Sequence, residues 1–99
     1  MSDEARENAN WARVPEADRE RCIAALREMI GEDREEWLKA IDHPFFHFST
    51  GMGVRNLLRH VLRDDKLPEV EWTHIDPPIF ERNWDDYYMA ALREALSDA

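Results

Sequence analysis

Hydrophobic positions recur most regularly between residues 54 and 62, where Val54, Leu57, Leu58, Val61 and Leu62 stand at i, i+3, i+4, i+7 and i+8. That spacing makes one apolar stripe on an α-helix. Arg55, Arg59, His60 and Arg63 fall on the other side, and Asp64, Asp65 and Pro68 close the segment. A second stripe, Cys22, Ile23, Leu26, Met29 and Ile30, predicts a helix that begins at Pro15. Proline suits the first helical position, and Glu16 and Asp18 put negative charge at the positive end of the helix dipole. Gly31 is the expected stop. A shorter apolar face follows in Trp37, Leu38 and Ile41. Asp33 and Glu36 stand there at capping-box spacing, and Pro44 ends the helix. The last stripe opens at Asn83, a good cap, and runs through Trp84, Tyr87, Tyr88, Ala91, Leu92, Ala95 and Leu96.

Between residues 67 and 82 the helical period disappears. EVEWTHI partly alternates and predicts a short extended edge, while DPPIF reads as a rigid connector because consecutive prolines forbid a helix. The aromatic run PFFHF has little reason to sit in water. Residues 1–13 hold almost nothing to bury and are expected to be loosely ordered, although Trp11 or Val14 would staple the next helix. The pattern as a whole predicts a mainly α protein. It is a small bundle of about four helices in one domain, residues 14–99, with an irregular or short extended crossing between the third and fourth.

Composition narrows the class. The chain has 99 residues, of which 43% are hydrophobic and 35% charged, enough for one modest core beneath a wet surface. It contains neither an apolar stretch of membrane-spanning length nor an N-terminal apolar leader, so a cytoplasmic protein is expected. The single Cys22 has no internal disulfide partner. Net charge is −9 and unevenly spread: residues 1–42 sum to −5, residues 43–66 to +2 and residues 67–99 to −6. An acidic exterior repels nucleic-acid backbones and favours a basic protein surface.

Chemistry-bearing clusters are sparse. His43 and His47 have ligand-like spacing, but Pro44 breaks the helix that would align them, and His60 and His74 add no thiol pair, so no metal site is expected. Neighbouring acids such as Glu35-Glu36, Asp64-Asp65 and Asp85-Asp86 diverge on a helix and do not converge on one substrate atom. Cys22 lies on an apolar stripe without a thiolate-stabilising base. The sequence therefore predicts a protein that is not an enzyme and carries no cofactor.

The stretch HFSTGMGVRN, residues 47–56, is the least generic. A glycine-rich turn entering a helix directs backbone N–H groups at one spot, so Thr50, Gly51, Gly53, Arg55 and Asn56 form a candidate anion or nucleotide site. The structural alternative has Ser49 or Thr50 capping the helix while Gly51 and Gly53 let it pack closely. No Walker element or third fingerprint glycine is present. FHFSTGMGVRN, with the later NWDDYYMAALREAL, resembles a family of small uncharacterised bacterial proteins. Its members carry a His-Phe-Gly-x-Gly-x-x-Ile-Arg-Asn segment and an Asp-Asp pair opening a final helix. His47, Phe48, Gly51, Gly53, Arg55 and Asn56 match the first element, with Ser49-Thr50 counted as one extra position and Val54 in place of Ile. Asp85 and Asp86 match the second. The resemblance implies one compact helical domain in which the two segments meet, and it brings no activity. In physical form, Arg55 is expected to pair with Asp85 or Asp86.

Two functions follow from this reading. The first is a small acidic module that binds, and regulates or inhibits, a partner protein with a basic surface. It would be of anti-defence (anti-CRISPR-like), immunity or nucleic-acid-mimic type, with no nucleic-acid or membrane binding of its own. Glu28, Glu32, Glu35, Asp85 and Asp86 would supply its charge, and Trp11, Trp72, Trp84 and Tyr88 its aromatic anchors. The second is the small-anion site. A weak homodimer through an aromatic face is a third possibility.

Overall fold

The computed structural model describes residues 3–72 and 76–97, and the side chains of Asp3, His47 and Trp72 lie outside the described set. Among the described residues the helices are α1 (Asp3–Ala12), α2 (Glu16–Ile30), α3 (Arg34–Ala40), α4 (Thr50–Val61) and α5 (Tyr88–Leu96). The strands β1 (Val70–Trp72) and β2 (Ile79–Glu81) lie between α4 and α5. The protein is mainly helical, with the extended crossing where the pattern places it.

The core forms where α2 packs on both α4 and α5. Cys22, Leu26, Val54, Leu58, Tyr88 and Leu92 are completely inaccessible to solvent, so each predicted stripe contributes. Each such aliphatic side chain contributes about 1.5–3 kcal/mol by leaving water. Trp84 and Tyr87 are equally buried in a 3-10 turn (Trp84–Asp86) and the residue after it. The indole Nε1 of Trp84 donates to the Leu62 carbonyl at 3.1 Å, and the Tyr87 hydroxyl donates to the Pro68 carbonyl. These bonds tie the chain leaving α4 to the start of α5 and give the buried indole N–H and phenol O–H their partners.

Several local expectations are corrected. Residues 3–12 are helical rather than loosely ordered: α1 packs on α5 and buries Trp11 to 5% exposure. One aromatic side chain supplies the apolar contact. Trp11 lies 6.3 Å from the Trp84 ring, and its Nε1 donates to Glu94 at 2.6 Å. Charge does the rest, because Arg93 reaches Glu7 at 3.2 Å and Glu4 at 3.8 Å. Pro15 occupies the cap position of α2, one residue before the helix, and Gly31 ends it at a φ of 56° that favours glycine. The capping box of α3 does not form, since no side chain of Asp33 caps the helix. Asn83 does act as a cap, accepting from the Asp85 amide at 2.8 Å, but it opens the 3-10 turn and not α5 itself.

The crossing is a two-stranded antiparallel hairpin that pairs Val70 with Glu81 and Trp72 with Ile79. DPPIF thus ends in a strand, not a plain connector, and the peptide before Pro77 is cis. Arginines on α2 and α3 satisfy the far end of α5, where Arg27 donates to the Ala95 carbonyl at 3.3 Å and Arg34 to the Leu96 carbonyl at 2.7 Å. Helix C-termini leave such carbonyls unpaired, and cations there also meet the negative end of the dipole.

Candidate partner-binding surface

The segment that joins α3 to α4 folds around one aromatic side chain. Helix α3 ends at Ala40, earlier than the expected stop before Pro44; the Phe45 amide donates to His43 Nδ1 at 3.1 Å, and a 3-10 turn (Phe46–Phe48) follows. Successive residues of so tight a turn point in different directions. Phe46 is therefore driven into the core at 2% exposure, while Phe45 and Phe48 remain 65% and 79% exposed. The aromatic run divides between core and solvent, contrary to the expectation that it would all be covered. Met52, four residues on in α4, is 51% exposed and extends the apolar surface.

Helix α4 begins at Thr50, so both glycines lie inside its first turn and not in a preceding loop. Ser49 occupies the cap position, yet its hydroxyl turns back and donates to the Phe45 carbonyl at 3.0 Å. The two glycines play separate parts. A Cβ on Gly51 would lie 2.8 Å from the Phe46 carbonyl oxygen and 3.3 Å from the Tyr88 hydroxyl, so this glycine lets α4 abut the turn and α5. Gly53 faces open space.

The Arg55–Asp85 pair is present, with Nη1 and Oδ1 2.8 Å apart. The guanidinium also lies 5.2 Å from the centroid of the Tyr88 ring, so charge and aromatic face hold it together. The glycine-Arg-Asn segment and the Asp-Asp segment do meet in space. Asp86 has a different environment from its neighbour. It is 4% exposed, its Oδ2 has no hydrogen-bond partner among the described residues, and its pKa is raised. Desolvation is the main cause; the Arg6 charge opposes it, and Asp85, Glu81 and Glu7 add to it.

The remaining expected site residues divide into groups. Glu28, Glu32 and Glu35 are exposed on and beside α2 and α3. Trp84 and Tyr88 are fully buried core residues, and Trp11 and Asp86 are buried too, so none of the four offers a surface anchor. Asp85 remains exposed, and the side chain of Trp72 lies outside the described residues. Of the five expected anion ligands, only Arg55 and Asn56 line a common depression, about 250 Å³ in volume, whose other walls are Met52, Arg59 and Asp85. The Asp85 carboxylate is the wrong charge for an anion site, and Gly51 is packed against a carbonyl oxygen. Thr50 and Gly53 do not reach that depression.

Among the described residues no group of three or more His, Cys, Asp or Glu is placed to hold a metal ion, and His74 lies outside them. The Cys22 thiol is pushed up to about 11, first by burial and then by Asp18, which leaves it a thiol and not a nucleophile at neutral pH. No helix among the described residues is long and apolar enough to cross a membrane. Besides Ile79 and Phe80 on β2 (44% and 55% exposed) and Met29 and Leu38, the accessible apolar groups that the sequence reading missed are Phe45, Phe48 and Met52. Their i, i+3, i+7 spacing, continuing across the turn into α4, was the available signal.

No family model, curated protein or solved structure matches this chain. The functional reading rests on this surface.

Proposed function

We propose that the protein is a small non-enzymatic module that binds another protein through the Phe45, Phe48 and Met52 surface and thereby regulates or inhibits it. One observation carries the reading. Phe45 and Phe48, the two most exposed of the described aromatic side chains, stay largely in water three residues apart, while the neighbouring Phe46 and Trp11, Trp84, Tyr87 and Tyr88 are buried; Phe80 on β2 is exposed as well, at 55%. Two adjoining phenylalanines in water lose burial free energy of about 1.5–3 kcal/mol each, which a partner recovers by covering them. Apolar anchors of this kind, ringed by polar groups, are what interface centres require. The acidic remainder of the surface, including Glu28, Glu32 and Glu35, keeps the free protein dispersed.

The test is capture from lysate of the source cells with the wild-type chain and with a Phe45→Ser/Phe48→Ser variant in parallel. Both side chains are exposed, so the variant is expected to keep its melting temperature within a few degrees. A protein retained by the wild type and lost with the variant is the expected result. Retention of the same proteins by both would reject this surface. A Glu28→Gln/Glu32→Gln/Glu35→Gln variant, run beside it, separates steering by acidic charge from contact through the phenylalanines.

A further inference from the structure

The charge beside the phenylalanines is opposite to the charge of the molecule. From residue 50 to residue 63 there is no aspartate or glutamate, while Arg55, Arg59, His60 and Arg63 all occur. Met52, Asn56, Arg59 and His60 recur at i, i+4, i+7 and i+8 and are all exposed, so they share the outward side of α4. Arg63 follows just past the helix and is exposed as well. The opposite side carries Val54 and Leu58, which are fully buried. The depression of about 250 Å³ on this face is lined by Met52, Arg55, Asn56, Arg59 and the Asp85 carboxylate, so it serves the apolar side chain and not the carboxylates of a ligand. Phe48 and Met52 thus form the apolar end of a face that continues through Arg59, His60 and Arg63 as far as Asp64 and Asp65, in a chain whose net charge is −9.

Resting on the partner-binding reading above, we infer that this face receives an acidic segment of the partner, with an apolar side chain seated at Phe48 and Met52 and carboxylates along Arg59, His60 and Arg63. The charge of the whole chain favours a basic partner; the charge within reach of the anchors favours an acidic one, and contact is decided within reach. Charges beyond about 8 Å are largely screened at physiological ionic strength. Arg59 already holds Asp64 at 3.4 Å, but both side chains are about two-fifths exposed. An exposed pair of this kind is weak and is readily exchanged for an incoming carboxylate. Arg55 belongs to the fold through Asp85 and Tyr88 and is not part of the recognition strip. A nucleic-acid strand also carries negative charge and stacks on aromatic rings. Its long uniform polyanion would extend past the strip onto acidic surface, whereas a short peptide ends where the strip ends.

The experiment is selection of random short peptides displayed on phage against the immobilised full-length protein at low ionic strength. The wild type, a Phe45→Ser/Phe48→Ser variant and an Arg59→Glu/Arg63→Glu variant are compared, each checked for an unchanged helical spectrum. The expected result is enrichment of peptides that combine Asp or Glu with an apolar residue, lost with the phenylalanine variant. The charge-reversed variant is expected to bind those peptides roughly tenfold or more weakly and to select basic ones. Phenylalanine-dependent peptides without acidic bias would overturn the charge assignment and leave the docking surface standing. Absence of any phenylalanine-dependent enrichment would overturn both. An oligothymidine that binds the wild type where no acidic peptide does would assign the strip to nucleic acid and reject the proposal.

Discussion

A methyl group on Gly51 would sit 2.8 Å from the Phe46 carbonyl oxygen, whereas at Gly53 it would meet nothing within 4 Å. Gly51→Ala must push the turn away from α4, at a cost of about 1–3 kcal/mol for overpacking, set against about 1 kcal/mol gained in helix propensity. Gly53→Ala keeps that gain without the clash. Thermal melts are expected to show a lower midpoint for the first and an unchanged or higher one for the second. Equal effects of the two would mean that the close approach at Gly51 is unimportant.

Asp86 supplies a pH signature. Because desolvation raises its pKa in the folded chain, the unfolded chain releases this proton first as pH rises, near the ordinary value of about 3.9. Stability from this residue is therefore complete below that value and is lost as pH climbs through the raised folded value. Replacing it with Asn removes the cost of a buried charge. Denaturant titrations are expected to show Asp86→Asn more stable than wild type near pH 7, by about 1 kcal/mol, with the difference vanishing near pH 3. A variant that is less stable throughout would show that the carboxylate is held by favourable contacts.

Helix periodicity was legible wherever an element buries a full stripe. The stripes of α2, α4 and α5 place most of their residues in the core or against it, because packing and propensity agree there; Met29, at the margin of the α2 stripe, is exposed. Elements held by other means were not. Helix α1 has one large apolar side chain, and among its other contacts are the Glu4 and Glu7 carboxylates and the Asn8 amide oxygen, which meet Arg93 more than eighty positions away. No local pattern announces such pairs. The second strand was hidden in a proline-containing stretch whose strand character depends on its partner β1. In the site, the Arg55–Asp85 contact was expected because the resemblance implies that the two segments meet and their charges are opposite. The division of PFFHF into one core and two surface phenylalanines was not, since three aromatics in five positions do not say which one the 3-10 turn will aim inward.

At the scale of the whole molecule, arginine and not lysine sets the architecture. Eleven of the thirteen cationic side chains are arginine. Arg21, Arg27 and Arg34 each donate to a backbone carbonyl at or beyond the last turn of α4 or α5. A planar guanidinium bonds such carbonyls while remaining partly in water, where lysine offers only a strongly hydrated point charge. Spending these cations on helix ends leaves α4 with the accessible positive strip. An acidic protein thereby keeps Arg59, His60 and Arg63 exposed along and just beyond one side of α4.

The indole rings of Trp11 and Trp84, 6.3 Å apart and inclined by 49°, have an optical consequence. Two such chromophores at that distance and tilt couple their ultraviolet transitions and give a paired positive and negative band in circular dichroism. One ring belongs to α1 and the other is sealed in the core, so the doublet reads the docking of α1 separately from the far-ultraviolet helix signal. Rising salt, which weakens the Arg93 contacts to Glu4 and Glu7, is expected to diminish the doublet before the helix signal falls. The chain carries its own spectroscopic ruler for its first helix.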